Sequence, residues 1–288
     1  MVDPAALAAF EAARPRLAAL AYRMLGMVSD AEDVVQETYL RWHAADHDAV
    51  RSPDAWLMTA CSRIAIDHLR RAKQERDAYV GPWLPEPLVV ESSDPTTLAE
   101  SVSMAFMMVM ERLTPEERAA WLLHEAFDFA HAEVGQMLGK SSVAVRQLVS
   151  RGRRHLDAAK PRFAVDRAQA EALAAQFLGA VATGDLAALT QLLAADATLH
   201  SDGGGKVSAA RHDVRSAEHV ARFLIGVSSK MPADLTVRAV TLNGAPSVLL
   251  RAAGRSVGTM TLGLDQGRVI TVYIVRNPDK LARLDQLA

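Results

Sequence analysis

Two hydrophobic rhythms divide the chain. Between residues 5 and 160 apolar positions recur every three to four residues, and after residue 236 they recur every second residue. The first rhythm predicts helices. Leu17, Leu20, Ala21, Met24 and Leu25 fall at i, i+3, i+4, i+7 and i+8, one face of an amphipathic helix. Ser29-Asp30-Ala31-Glu32 reads as a capping box that starts a second helix, with Val34, Val35, Thr38 and Trp42 on its apolar face. A third helix is predicted from about Pro53 to Lys73, with Leu57, Cys61 and Ile64 on one side.

Residues 81–100 break the pattern with four prolines and clustered Ser, Asp and Thr, which mark a linker. Trp83, Leu84 and Leu88 are too apolar for a freely solvated linker, so docking is expected. Short helices then resume. Thr114-Pro115-Glu116-Glu117 joins a capping box to a proline at the first helical position, opening a helix to about Phe127. His131–Leu138 forms a second piece, Gly139-Lys140 a turn, and Ser141 caps a third helix from Ser142 to about Leu156.

Beyond residue 166 two more helices, near 167–183 and 185–194, precede period-two segments near 236–242, 247–252, 256–264 and 268–275. Asn243-Gly244 and Asp265-Gln266-Gly267 supply hairpin turns between them. The expected organisation is a helical domain (5–80), a linker (81–103), a second helical domain (104–162) and an α+β domain (166–288).

Composition narrows the classes. Half of the 288 residues are hydrophobic, enough for several packed domains. Cys61 is the lone cysteine, which excludes an internal disulfide and a cysteine-based zinc site and fits a reducing cytosol. Runs of 18 or more apolar residues are absent, and Met1 to Phe10 carries no signal-peptide pattern, so a cytoplasmic protein with no membrane partner is expected. The net charge of −2 is unevenly spread: residues 81–139 sum to −8 and residues 140–165 to +6, with a smaller basic island at 61–80. A chain that coats nucleic acid would be basic throughout. Two basic islands between acidic stretches suit two DNA contacts and a protein partner.

Three segments carry candidate chemistry. In the last helix of residues 114–156, Val145, Leu148, Val149 and Leu156 can face inward, leaving Arg146, Gln147, Ser150 and Arg151 outward with Arg153 and Arg154 behind. A short helix, a glycine turn and a basic helix is how a recognition helix is presented to the major groove. The bland alternative is a helical hairpin with a solvated basic face. In the second helix Asp33, Gln36 and Glu37 share one face, which could equally complement the helix dipole. In the third, Arg63, Asp67, Arg70, Arg71 and Gln74 form a polar stripe that a solvated helix would also show.

Taken together and in order, these segments resemble the extracytoplasmic-function (ECF) sigma factors of the sigma-70 family, over roughly residues 5–160. DAEDVVQET resembles their region 2.2, WLMTACSRIAIDHLRR regions 2.3 and 2.4, and LTPEERAAWLLHEAFDFAHAEVGQMLGKSSVAVRQLVSRGRRHL region 4. The resemblance implies partners: core RNA polymerase, through its β′ clamp helices and β flap, and promoter DNA. It makes Asp33, Gln36 and Glu37 the polymerase contact. Arg63, Asp67, Arg70 and Arg71 become readers of the −10 element, and Arg146, Gln147, Ser150 and Arg151 readers of the −35 element. Arg63 stands where many members carry Asn, which touches the base preference at −10.

Residues 166–288 resemble the SnoaL-like (NTF2-like) cone-shaped α+β fold that a sigma J type subgroup carries as a C-terminal extension. The marks are WLPEPL (83–88), DGGGK (202–206) and VRNPDKL (275–281). The resemblance implies regulation in cis, with Trp83, Leu84, Pro85, Asp202, Gly203, Gly204, Gly205 and Lys206 as regulatory residues and the glycine loop docked on the linker. The fold can hold a small ligand in its pocket, and His200, Asp202 and His212 could in principle do acid–base work there. A lone histidine is more often structural, so the expectation is a non-enzyme without catalytic residues, cofactor or metal. The competing reading is a ligand-responsive helix-turn-helix regulator that binds DNA without polymerase, which leaves helices 5–80 unexplained.

Overall fold

Gly26 ends the first helix in the left-handed conformation (φ 74°), its N–H returning to the Tyr22 carbonyl. In the computed structural model, which describes residues 3–76, 78–89, 103–157 and 167–286, this turn fixes how the next helix begins. Helix α1 (Pro4–Leu25) is capped by Asp3, and α2 (Val28–His43) starts two residues after Gly26. The capping box expected at Ser29 is therefore not formed. Met27 is the N-cap, no side chain caps the helix, and Ser29 already lies within the first turn. The extended Met27 leaves the tight Gly26 turn directly into the helix, too early for Ser29 to cap it. Helix α3 (Pro53–Arg76) completes a three-helix packing around Leu17, Met24, Val34, Leu57, Cys61 and Ile64, all but inaccessible to water.

The second helical segment joins the same unit, which comprises Met1–Ala78 and Phe106–Ala159. It contains α4 (Met104–Met110), α5 (Pro115–Trp121), α6 (His131–Leu138) and α7 (Ser142–Asp157). Thr114 and Glu117 form the reciprocal capping box at α5, with proline at its first position. A π-type turn, Leu122–Ala126, ends that helix.

The other unit comprises Tyr79–Ala105 and Lys160–Ala288. Its helices α8 (Arg167–Thr183), α9 (Leu186–Leu192) and α10 (Ala217–Ser228) pack on a six-stranded sheet. The strands are β1 (Leu193–Asp202), β2 (Val214–Arg215), β3 (Thr236–Leu242), β4 (Ala245–Ala252), β5 (Arg255–Asp265) and β6 (Arg268–Val275), in the order β2-β1-β6-β5-β4-β3. Only β1 and β6 run parallel. This is the expected α+β architecture, with Phe177, Leu189, Val220, Leu199 and Val272 in its core. The Asn243-Gly244 and Gln266-Gly267 pairs turn the hairpins with positive φ, and Ala253-Gly254 turns a third in the same way. Where a helix was expected to reach residue 194, the chain enters β1 at Leu193. A short helix, α11 (Pro278–Leu281), follows β6. No helix among the described residues is long and apolar enough to cross a membrane.

Candidate nucleic-acid interface and linker latch

The period of α2 leaves Asp33 and Gln36 exposed opposite the buried Val34, Val35, Thr38 and Trp42. Glu37 lies beside them, half-buried, bonded to Arg41 (2.7 Å) and 3.4 Å from His68 of α3. The three expected polymerase-facing residues thus share one acidic stripe. On α3, Arg63, Asp67, Arg70 and Arg71 are exposed. Each of the three arginines already makes a hydrogen bond. Arg63 Nε donates to the Met137 carbonyl of α6 (2.8 Å). Arg70 bonds Asp67 (2.9 Å) and Glu116 of α5, and Arg71 Nε donates to the Asp67 carbonyl (3.4 Å).

The helix-turn-helix is built by close backbone approach. Gly139 closes α6 with φ 65°, and the Lys140 N–H returns to the Gly135 carbonyl at 2.8 Å. A Cβ on Gly135 would meet the Lys140 carbonyl oxygen at 2.6 Å, so only glycine fits there. Ser141 caps α7 through the Ala144 N–H (3.2 Å). Val145, Leu148, Val149 and Leu156 are buried, and Arg146, Gln147, Ser150 and Arg151 are exposed along the opposite face. Arg151 pairs with Glu117 at 3.1 Å, and Arg153 with Glu125 at 2.5 Å.

Between the two helical segments sits an ion cluster that sequence reasoning did not single out. Arg118 of α5 is wholly buried; its Nε donates to the Arg23 carbonyl (3.0 Å) and its Nη1 to Glu111 (2.5 Å). Arg76 bonds the other oxygen of Glu111 and the Leu25 carbonyl (2.6 Å), while Lys73 donates to the Leu113 carbonyl (2.5 Å). Burial pulls Arg118 and Lys73 below their usual ranges. Burial would raise Glu111, but Arg118 and Arg76 outweigh it and hold the carboxyl below its usual value. Arg118 Nη2 and Trp121 Nε1 are buried without a hydrogen bond. In sequence Arg118 looked like an ordinary charged position on a capped helix, and nothing in its spacing announced burial.

In the other unit the linker is seated on the α+β domain by a buried polar network. Asp202, at the end of β1, is fully buried. It accepts from the Tyr79 hydroxyl (2.6 Å), the Leu84 N–H (2.8 Å), the Gly204 N–H (3.0 Å) and Lys280 Nζ (2.7 Å). Lys280, 2% exposed, also donates to the Leu84 carbonyl (2.5 Å) and lies 4.3 Å from the Trp83 ring centroid. Desolvation, with Asp202 as acceptor, holds the Tyr79 phenol well above its usual range. Asn277 donates to the Tyr79 oxygen at 2.9 Å. The last described residues of this stretch continue as strand-like backbone: Leu88 donates to Asn243 Oδ1 (3.0 Å), and the Asn243 N–H donates to the Leu88 carbonyl (2.7 Å); the remainder of the expected linker, 90–102, lies outside the described residues.

The expected regulatory residues fall into three roles. Asp202, Trp83 and Leu84 are in the network, and Pro85 is buried beside it. The glycines provide close approach: a Cβ on Gly204 would meet the Asn277 amide nitrogen at 2.4 Å, and one on Gly203 the Val207 carbonyl at 2.5 Å. Gly205 faces Val80, which with Tyr79 belongs to this unit rather than to the helical domain expected to reach residue 80. Lys206 instead pairs with Asp279 at the surface (2.5 Å). The buried lysine is Lys280, which was legible only as part of VRNPDKL, with no role attached.

The three groups considered for acid–base work have different surroundings. His200 bonds Asp213 (2.6 Å) and stacks on Tyr273, Asp202 is committed to the linker, and His212 lines an open cavity of about 420 Å³ with Gly81, Pro82, Arg211, Asp213 and Arg215. Three of the described His, Cys, Asp or Glu side chains nowhere gather as a metal site.

The family model Sigma-70 region 2 matches residues 9–75, and Sigma-70, region 4 matches residues 103–156. The ECF RNA polymerase sigma factor SigJ of Mycobacterium tuberculosis (strain ATCC 25618 / H37Rv) is 36% identical, over 94% of this chain and 91% of its own length. The probable ECF RNA polymerase sigma factor SigI of the same strain is 30% identical over 97% of this chain and 95% of its own. A crystal structure of Mycobacterium tuberculosis SigJ superposes with a TM-score of 0.75 at 32% identity, covering 96% of this chain and 98% of that one.

Proposed function

The chain belongs to the ECF sigma factors of the sigma-70 family, and from that premise we propose that its C-terminal α+β domain regulates promoter recognition in cis by gripping the linker between the two DNA-reading segments. The observation that carries this reading is the Asp202–Lys280 network, which closes on Tyr79, just ahead of the linker, and on Trp83 and Leu84 within it. Residues 79–89 leave α3 toward α4, so their capture shortens the free chain that joins the two segments. No separate inhibitor is needed for such control.

The site assignments extend the reading. The α2 stripe of Asp33, Gln36 and Glu37 docks on core polymerase; Arg63, Asp67, Arg70 and Arg71 address the −10 element; Arg146, Gln147, Ser150 and Arg151 address the −35 element. The centres of these elements lie about 25 base pairs apart, which at about 3.4 Å per step is about 85 Å. Helices α3 and α6 touch, so one copy cannot read both elements in this arrangement. The helical unit is a closed form, and polymerase binding opens it. Its interface is suited to opening: it buries a guanidinium with an unpaired Nη2, a contact whose desolvation offsets much of its attraction.

As a polymerase-associated factor the protein acts in the cytoplasm and catalyses no reaction of its own. The test is transcription by core polymerase on DNA selected by the holoenzyme, comparing the wild type with Asp202→Asn. Altered transcript yield with unchanged core binding is expected. Unchanged yield would refute regulation through the linker.

A further inference from the structure

The exposed face of α7 holds one residue that the hydrogen-bonding reading leaves out. Val143 is 58% exposed, among the most exposed large apolar side chains of the protein. It lies in the first turn of α7, and Arg146, Gln147 and Ser150 follow it at i+3, i+4 and i+7, so the four share one stripe. The fold does not require an apolar group there, because Val145, Leu148 and Val149 supply the core face. The first turn of a recognition helix is the part that meets base edges. Arg146, Gln147 and Ser150 can all donate hydrogen bonds to base edges or phosphates, and Val143 can donate none. In the major groove the apolar group on a base edge is the thymine C5-methyl. A β-branched side chain in a helix is held near one χ1 rotamer, so it loses little freedom on contact.

We propose that Val143 reads a thymine C5-methyl group within the −35 element and is a specificity-determining residue of this factor. The inference rests on α7 being the −35 reader. Val143 selects T by burying a methyl, where its neighbours select by hydrogen-bond pattern.

The test uses holoenzyme assembled from core polymerase and the full chain, selecting fragments from a library randomised across the −35 element. Wild type should enrich thymine at one position, and Val143→Ala should lose that preference while keeping the others. At that position, replacing thymine by deoxyuridine removes only the methyl. It should weaken wild-type binding about fourfold, the factor for one buried methyl, and leave Val143→Ala unaffected. Unaltered preference in Val143→Ala, or no loss with deoxyuridine at any selected thymine, overturns the proposal. Arg146→Ala and Gln147→Ala separate the two ideas. If they shift the selected sequence and Val143→Ala does not, only the thymine contact fails; if none of the three shifts it, α7 is not the reader.

Discussion

Lys280→Met is the most informative single change to the linker latch. Methionine keeps most of the apolar stem and deletes the ammonium, which also lies over the Trp83 and Tyr79 rings. That ammonium bonds Asp202 at 2.7 Å and the Leu84 carbonyl at 2.5 Å in a site where Lys280 is 2% and Asp202 0% exposed. Removing one partner of a buried pair leaves an uncompensated charge and costs about 3–5 kcal/mol. The loss falls on the closed linker, since the freed Asp202 can hydrate only once the linker lifts. Hydrogen exchange at the Leu84 amide, which donates to Asp202, reads this opening directly. At about 1.4 kcal/mol per tenfold, exchange should quicken by about two orders of magnitude or more. Adding Asp202→Asn to Lys280→Met should recover part of the loss, because the stranded charge is gone. Exchange quickening by less than about threefold, under 1 kcal/mol, would refute the view that this pair holds the linker.

Other perturbations have equally definite outcomes. Gly204→Ala sets a Cβ against the Asn277 amide at a positive φ, so it should speed Leu84 exchange while Lys206→Ala, which removes an exposed pair, should not. The folded-state pKa of Glu111 lies below its ordinary value of 4.5. Its stabilisation of the helical unit is therefore full above that value and lost as pH falls through the depressed one; Glu111→Gln should flatten the acid limb of the unfolding curve below that ordinary value. Glu116→Arg replaces the partner of Arg70 with a like charge and should open the helical unit, seen as lower energy transfer between dyes at Arg14→Cys and Ser150→Cys. Cys61 will not compete for label, since burial pushes its thiol up to about 12; unchanged transfer would count against an ionic closure.

The helical repeats, the α5 capping box, the Gly139 turn and the outward stripe of α7 were legible because each is a local pattern of period 3.6 with its stop signals adjacent. The α2 start was misplaced because the Gly26 turn, two residues upstream, decided it. Strand β1 was hidden for another reason: LAADATLHSD pairs with β6 far along the chain and with the two-residue β2, and its Ala-rich start reads as helix. The latch was half legible. WLPEPL announced a docked linker through Trp83 and Leu84, but the choice of Lys280 over Lys206 depends on which lysine α11 turns inward, a tertiary fact with no local signature. The same holds for Arg118, whose burial comes from the packing of α5 on α1 and α3.

Binding of the full chain to purified core RNA polymerase tests the central claim most directly, with Asp33→Ala plus Glu37→Ala as the comparison. Both side chains are on the α2 surface, so the variant should fold as the wild type does. The account predicts tight binding by the wild type and at least a tenfold loss in the double variant, the scale of an interface anchor worth about 1.4 kcal/mol or more. Equal binding by the two proteins, or none by the wild type under conditions where the chain is folded, would contradict it.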